Sequence, residues 1–344
     1  MRVGIGVGYW GLGVGKDEQF AIAYAAERLG FDSIWVAEAY GSDAPTVLAA
    51  LAATTERVRL GSAIMQIPAR SAAMTAMTAA TLDQLSDGRF TLGLGASGPQ
   101  VSEGWHGVRF AKQLARTRDY VSVVRKALAR ERVEYEGETL TLPLPDGPGK
   151  ALKLTIGPVQ ERLPIVLAAM GPKNVALAGE IADGWLPTFF SPEHVKELLA
   201  PLHEGARTAG RDPAEVMVMP QAGICVDDDI DAARDTMRWI LALYIGGMGS
   251  KKKNFYVDLV DRYGFGEEAH EVQELYLAGK KTQAAQHLSA DLIDATCICG
   301  PADHVAQRLK DYEQAGVAEL ILLPTPTPGG SQLEQLERIA ALRG

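Results

Sequence analysis

The chain has 344 residues, of which 47% are hydrophobic and 22% are charged, and its formal net charge is −9. This composition is that of a folded globular protein and excludes a disordered or collagen-like chain. The acidic balance argues against binding to nucleic acid or to an anionic membrane surface, since both would repel it. No apolar stretch is long enough to span a bilayer, and no signal peptide is recognised, so we expect a cytoplasmic protein.

Apolar runs that predict strands alternate with helical patterns over roughly the first 95 residues. The predicted strands are 3–7, 33–36, 59–65 and 90–94, and the predicted helices between them are 20–29, 44–55 and 71–85. Asp43 and Pro45 mark one helix start, as a capping residue followed by a proline in the first turn. Gly88 follows another helix and is the residue type that accepts the left-handed conformation closing it. This alternation predicts parallel strands joined by right-handed crossover helices.

The alternation continues to the end of the chain with interruptions. Further strands are predicted at 164–168, 184–187, 216–226 and 319–323, and further helices at 116–129, 173–181, 192–209, 267–288, 303–315 and 332–342. Residues 95–114 are predicted as a loop and 133–153 as a β-hairpin or small flap. Eight strands favour one (β/α)8 TIM-barrel domain over 1–344, with insertions after strands 4 and 7 at about 130–162 and 245–300. An open doubly wound sheet is the alternative.

The three cysteines do not suggest a metal site. Cys297 and Cys299 are too close together for a typical zinc pair, and no His or Cys cluster completes a set of ligands. Reduced thiols packed at strand ends, Cys225 included, are the expectation.

Barrel enzymes carry their chemistry at the carboxyl ends of the strands, so the residues that follow each strand are the candidates. These residues are mostly aromatic or neutral and polar, which suits a flat aromatic ligand. They are Tyr9, Trp10, Glu38, Tyr40, Met65, Gln66, 96–100, 169–172, Trp185, Thr188 and Cys225. Glu38 is the one carboxylate among them, and it either binds a ring or handles a proton, or is only a charge at a helix terminus.

Three further segments contain polar or charged groups that could bind a ligand or transfer a proton. The stretch AAMGPKN, 168–174, ends a strand and opens a helix, so its backbone N–H groups and the helix dipole predict a seat for an anion near Lys173. A plain turn with a proline at the helix start is the alternative. His106 is either a general acid or a surface histidine beside a packed Trp105. The lysines 251–253 predict either a solvated loop or a lid that contacts an anionic coenzyme tail.

In combination, three stretches resemble the luciferase-like flavin and deazaflavin oxidoreductases, and most of all the members that use coenzyme F420. The stretches are LGSAI at 60–64, ATLDQLSDGRFTLGLG from Ala80, and AAMGP followed by AGEIADG within 168–184. The resemblance implies a (β/α)8 barrel that transfers a hydride between F420 and an unidentified small organic substrate. An FMN-dependent monooxygenase of the same fold and a non-catalytic flavin-binding protein are the alternatives.

The resemblance also implies site residues. A non-proline cis peptide bond is expected between Ala63 and Ile64, where a bulge would support the flat ring system, and the N–H groups of Met170 and Gly171 would hold a phosphate. The cofactor-binding candidates are therefore Glu38, Ala63, Ile64, Ser97, Met170, Gly171 and Pro172. The catalytic candidates are Glu38 and His106.

The chain departs from the family pattern at two places. Family members often have Asp-His after the second strand, where this chain has Glu38-Ala39. Several have an acidic residue in the loop after the fourth strand, where this chain has none before Glu103. Glu38, Glu103, His106 or a water could therefore supply the proton, and the substrate cannot be transferred from any relative. We expect a small-molecule substrate, no nucleic-acid partner and a homo-oligomer.

Overall fold

The computed structural model describes residues 1–8, 15–249 and 254–343, so the expectations for Tyr9, Trp10 and the lysines 251–253 lie outside the described residues. Its strands are β1 Arg2–Gly6, β2 Ser33–Val36, β3 Arg59–Ser62, β4 Met65–Gln66, β5 Phe90–Gly95, β6 Tyr135–Glu136, β7 Thr141–Leu142, β8 Ile165–Leu167, β9 Gly184–Trp185, β10 Met217–Val218, β11 Gln221–Val226, β12 Ile298–Gly300 and β13 Glu319–Pro324. Its helices are α1 Lys16–Arg28, α2 Ala44–Thr54, α3 Ala72–Leu85, α4 Pro99–Gly104, α5 Gln113–Leu128, α6 Pro172–Ile181, α7 Val195–Thr208, α8 Ile230–Gly247, α9 Phe255–Val260, α10 Gly266–Leu277, α11 Lys281–His287, α12 Ala290–Thr296, α13 Ala302–Gln314 and α14 Gln332–Ala341.

Eleven strands form one curled parallel sheet in the order β10-β9-β8-β5-β3-β2-β1-β13-β11-β12, with β4 beside β5. The strands β10 and β11 are two parts of one stretch of chain. The first part pairs with β9, with Met217 opposite Gly184, and the second pairs with β13, with Gln221 opposite Ile321. This stretch therefore hydrogen-bonds to β9 through its first part and to β13 through its second part, which closes the curled sheet into a TIM-barrel-like fold.

All eight predicted strands of the alternation are present, but the sequence missed several elements. β12 was not predicted; it is only three residues long and pairs with β11. The predicted loop at 95–114 contains α4, for which Pro99 in the first turn is the local signal. The single helix predicted at 267–288 is two helices, because Gly279, with φ 80°, follows the end of α10.

The inside of the curled sheet is filled with side chains. Trp35 of β2 is 2% exposed and packs in a small core cluster with Val166 and Ile321. At the start of the last strand, Glu319 accepts hydrogen bonds from Ser33 Oγ at 2.5 Å and from Trp35 Nε1 at 2.9 Å. The interior is thus a packed core, so a ligand binds at an end of the sheet and not within it.

The stretch ATLDQLSDGRFTLGLG builds the fold through two charged residues. Asp83 is fully buried and accepts hydrogen bonds from the backbone N of Val159 at 2.7 Å and of Gln160 at 3.0 Å. Arg89 donates to the carbonyls of Val58 at 2.6 Å and Thr55 at 2.7 Å, just after α2 ends. A cation there satisfies carbonyls that the helix leaves free and complements the helix dipole.

The cysteines are packed as expected. Cys225, Cys297 and Cys299 are free, buried thiols, and Cys225 lies opposite Cys299 in the β11–β12 register. Burial raises the pKa of each of the three thiols, so they are poor nucleophiles.

None of the helices in the described ranges combines the length and the apolar run that a membrane crossing requires.

Candidate active site

The predicted site residues follow strands that are neighbours in the sheet. β2, β3, β5 and β8 are adjacent and parallel, and β4 lies beside β5. The residues after their carboxyl ends therefore share one rim, which is where TIM-barrel-like enzymes carry their sites. This places Glu38, Ala63, Ile64, Ser97 and the turn 170–172 at the same end of the sheet.

A β-bulge interrupts the rim between β3 and β4. Gly61 lies opposite Thr91 and Met65 opposite Leu94, so β3 and β4 contain one more residue than the facing part of β5. The Ser62 hydroxyl bridges the gap, because Oγ donates to the carbonyl of Gly93 and accepts from its N–H, both at 2.9 Å. The side chain of Ser62 thereby replaces ladder bonds that the bulge removes.

The peptide bond between Ala63 and Ile64 is cis, which confirms the expectation from the family resemblance. Both residues are half-buried, although Ser62 before them and Met65 after them are fully buried. A Cβ built on Gly95 would lie 3.0 Å from Cδ1 of Ile64, so the Ile64 side chain lies close against the end of β5. The bulge therefore offers an accessible, uncharged surface at the rim.

Gln66 connects three of the rim loops. Its Nε2 donates to the carbonyl of Ala39 at 2.5 Å, and its Oε1 accepts from Ser97 Oγ at 3.1 Å. Gln66 is 2% exposed, and Ser97 has a left-handed backbone with φ 61°. The predicted residue Ser97 is thus held in place by a residue that sequence reasoning named only as following a strand.

Glu38 is engaged in an ion pair. It is 9% exposed; its Oε1 accepts from Arg70 Nη1 at 2.7 Å and its Oε2 from the backbone N of Ala44 at 3.3 Å. Arg70 also pairs with Asp43, the residue that caps α2. Burial works to lower the pKa of Arg70, but its bonds to Glu38 and Asp43 raise that pKa above the ordinary value. Glu38 therefore ties the loop after β2 to the start of α2, and sequence reasoning missed its partner.

His106 lies just after α4 and is half-buried. Its Nε2 is buried and has no hydrogen-bond partner in the described part of the chain. The expectation of a packed Trp105 is wrong, because that side chain is 68% exposed on the turn that ends α4. Glu103, the other candidate in this loop, accepts from the backbone N of Phe110 at 3.0 Å. His106 thus has a free ring nitrogen, whereas Glu103 is already bonded.

The predicted anion seat has the expected backbone geometry. Gly171 is the N-cap of α6, with φ −74° and ψ 144°, and no side chain within the described ranges caps this helix. A Cβ built on Gly171 would have no atom within 4 Å, so the space beside the helix start is open. The chain between β8 and this turn is held in place, because Trp185 Nε1 donates a hydrogen bond to the carbonyl of Ala169 at 2.8 Å. Pro172 has no N–H, and the N–H groups of Asn174 and Val175 bond to the carbonyl of Gly171 at 2.9 Å and 3.0 Å. The amides of Met170, Gly171 and Lys173 are therefore the ones left for an anion at this turn.

An aromatic cluster borders the rim after β9. The ring of Phe189 lies 5.8 Å from Tyr244 and 5.4 Å from Tyr256, and these two tyrosines contact each other at 4.8 Å. Tyr263 donates to the carbonyl of Phe189 at 2.8 Å. The three tyrosines come from the segment before α10, more than 50 residues along the chain, so no local pattern could have placed them here.

Comparison with known proteins agrees with the geometry. The sequence profile of the luciferase-like monooxygenases matches residues 8–319. A Mycobacterium tuberculosis protein, named as a proposed coenzyme F420-dependent oxidoreductase, is 43% identical over 349 residues, and the match covers 99% of each chain. The 5,10-methylenetetrahydromethanopterin reductase of Methanolobus tindarius is 28% identical over 302 residues, or 87% of each chain. Among solved structures, the F420-dependent tetrahydromethanopterin reductase of Methanopyrus kandleri superposes with a TM-score of 0.82 at 25% identity, covering 98% of this chain and 97% of the other.

Proposed function

This chain belongs to the family of luciferase-like monooxygenases, and from that premise we propose that it is an oxidoreductase that transfers a hydride between coenzyme F420 and a small organic substrate. The observation that carries the proposal is the joint position of the half-buried bulge at Ala63–Ile64 and the open helix start at Gly171 on one rim. A flat ring next to an anionic tail needs such a pair of surfaces. The relatives named for F420 dependence support the choice of coenzyme.

The residues present fit this coenzyme. The bulge and Ser97 would support the ring, and the backbone N–H groups at the start of α6 would hold its phosphate. Met170, Gly171 and Pro172 form that turn, and a Cβ built on Gly171 would meet no atom within 4 Å. When bound, the deazaflavin supplies or accepts the hydride. His106 and Glu38 are the proposed groups for proton transfer; in this structure the Nε2 of His106 is buried and Glu38 is bonded to Arg70.

Titration with two coenzymes tests the proposal. We expect purified full-length protein to bind oxidised F420 with a lower Kd than FMN. Equal or reversed affinities would favour an FMN-dependent monooxygenase, and binding of neither would contradict the proposal. Turnover of any substrate with bound coenzyme would exclude a non-catalytic flavin-binding protein.

The ion pair between Glu38 and Arg70 predicts coupled effects on coenzyme binding. Glu38→Gln removes the charge that holds Arg70, so the loop after β2 loses its anchor to α2. A charge-assisted hydrogen bond contributes about 1.5–3 kcal/mol, so we expect the Kd for F420 to rise about tenfold. Arg70→Gln breaks the same pair and should have a similar effect, and the double variant should add little to either. Additive losses, or a Glu38→Gln variant with unchanged Kd, would contradict this positioning role.

We also propose that the chain forms a homo-oligomer through the outer faces of α2 and α3. α2 contains no charged residue, and the one charge in α3, Asp83, is buried. Met74 and Met77 are 50% and 51% exposed, whereas a helix facing water normally carries charges on its outer side. A second copy of this uncharged face would cover it.

Sedimentation velocity tests the oligomer. We expect Met77→Lys to convert the oligomer to a monomer, because a buried unpaired cation is costly at an interface. Leu277→Lys is the matched control, since Leu277 is 49% exposed on α10. A wild-type monomer, or an oligomer that Met77→Lys leaves intact, would contradict the proposal.

We infer that residues 1–344 form one domain with insertions at about 130–162 and 245–300. The strands β6 and β7 of the first segment pair only with each other in the described sheet topology. The second segment holds the helices α9 to α12 and the extra strand β12. The first segment thus adds a separate hairpin, and the second adds four helices between α8 and β12.

A further inference from the structure

The turn between α9 and α10, at Asp261–Phe265, contacts the backbone at the ends of two strands. Tyr263 is 7% exposed and donates to the carbonyl of Phe189, after β9, at 2.8 Å. Arg262 donates through Nη2 to the carbonyl of Met170, after β8, at 3.4 Å. Gly264, with φ 91°, permits the sharp change of direction that follows. The turn therefore holds Arg262 directly beside the residue that precedes Gly171.

Arg262 is exposed and lines a cleft that Glu197 also lines. Its two hydrogen-bond partners are the neutral carbonyls of Met170 and of Asp258, the latter at 3.2 Å from Nε. It forms no ion pair with any residue in the described ranges, whereas Arg70 pairs with Glu38 and Arg118 with Glu180. An arginine has five N–H donors, so most of those on Arg262 remain available.

A second cation lies two residues after Gly171 in the sequence. Lys173 lies in the first turn of α6, is exposed, and likewise forms no ion pair within the part of the chain that the structure describes. The space beside Gly171 is open, and the helix start adds its own positive potential. A chain with a net charge of −9 thus has two cations without an ion pair in the described ranges close in position to the turn at 170–172.

We propose that Arg262 is a further coenzyme-binding residue, which recognises the anionic tail of the deazaflavin by its charge. The proposal rests on the proposed function. The ligand chemistry is a chain with a phosphate and carboxylates, which a planar guanidinium binds through paired hydrogen bonds. Arg262 would reach this tail from the α9–α10 turn, where it bonds to the carbonyl of Met170. It thereby makes coenzyme selection depend on the tail as well as on the ring.

The experiment compares two ligands that differ only in the tail. Full-length wild-type protein, Arg262→Gln and Arg262→Lys are titrated with F420 and with the deazaflavin ring–ribitol compound that lacks the phosphate and the acidic tail. We expect Arg262→Gln to raise the Kd for F420 about tenfold and to leave the Kd for the tail-less compound unchanged. Arg262→Lys keeps the charge without the paired donors and should lie between the two. Arg28→Gln, a change at an exposed arginine on α1, is the control and should alter neither value.

Two results would overturn the assignment of Arg262. One is an unchanged Kd for F420 in Arg262→Gln, and the other is an equal loss for both ligands, which would mean that Arg262 only supports the turn. A failure of the proposed function looks different, because wild-type protein would then fail to bind F420 or would prefer FMN. Thermal melting of each variant confirms that it is folded before the affinities are compared.

Discussion

Replacing Gly93 with alanine is expected to prevent the chain from folding to its native state. A Cβ at this position would lie 1.9 Å from the carbonyl oxygen of Ser62, which is a backbone atom. Ser62 cannot move away easily, because its hydroxyl is bonded to both the N–H and the carbonyl of Gly93 at 2.9 Å. Overpacking by side chains typically costs about 1–3 kcal/mol, and a clash with fixed backbone in the bulge should exceed that range.

The yield of soluble Gly93→Ala protein and its thermal melting temperature measure this effect. Gly171→Ala is the matched control, because the space around Gly171 is open and its φ of −74° suits any residue. We expect the control to melt close to wild type. A Gly93→Ala protein with a wild-type melting temperature would show that the backbone can separate at the bulge.

A second large effect is expected for coenzyme binding in Gly171→Asp. The substitution puts a carboxylate where the phosphate is proposed to bind. Two like charges at about 4 Å repel by roughly 4 kcal/mol at an effective dielectric near 20, before screening by salt. We therefore expect the Kd for F420 to rise at least tenfold. The protein should remain folded, since aspartate is a favourable residue at a helix N-cap.

Gly171→Asn separates charge from shape in this test. Asparagine has nearly the same size as aspartate and also caps helices well, but it is neutral. Coenzyme affinity measured for both variants by fluorescence titration should be much weaker for Asp than for Asn. Equal affinities in the two variants would place the phosphate elsewhere on the rim.

Local patterns predicted most of the sheet and which candidate residues follow neighbouring strands. The strand at Ser33–Val36 was predicted to the residue, and Asp43 was identified as the cap of α2, because apolar runs and capping residues act over a few positions. The rule that chemistry follows parallel strands then placed Glu38 and Ser97 at one rim. The family resemblance supplied the cis bond at Ala63–Ile64, which no local pattern of these residues predicts.

The partners of these residues could not be predicted. Arg70 reaches Glu38 across 32 positions of sequence, and Arg262 reaches Met170 across 92. Such contacts form between loops and helices that come together only when the sheet has curled. The spacing of residues along the chain does not predict which of them will meet. The exposure of Trp105 was predicted wrongly for a similar reason, since α4 was taken for a loop and its last turn points the ring outward.

The positions of Asp83 and Arg89 bear on how the sequences of proteins with this fold diverge. Both lie near the amino end of β5, whereas Ser97 follows its carboxyl end, about 20 Å away for a strand of this length. Asp83 and Arg89 thus stabilise the scaffold at the end of β5 that lies away from the proposed site. Substitutions at Ser97 or Gly171 would leave the hydrogen bonds of Asp83 and Arg89 in place. A match to Asp83 and Arg89 in this stretch therefore indicates the fold of a sequence. Its reaction has to be inferred from the residues that follow the carboxyl ends of the strands.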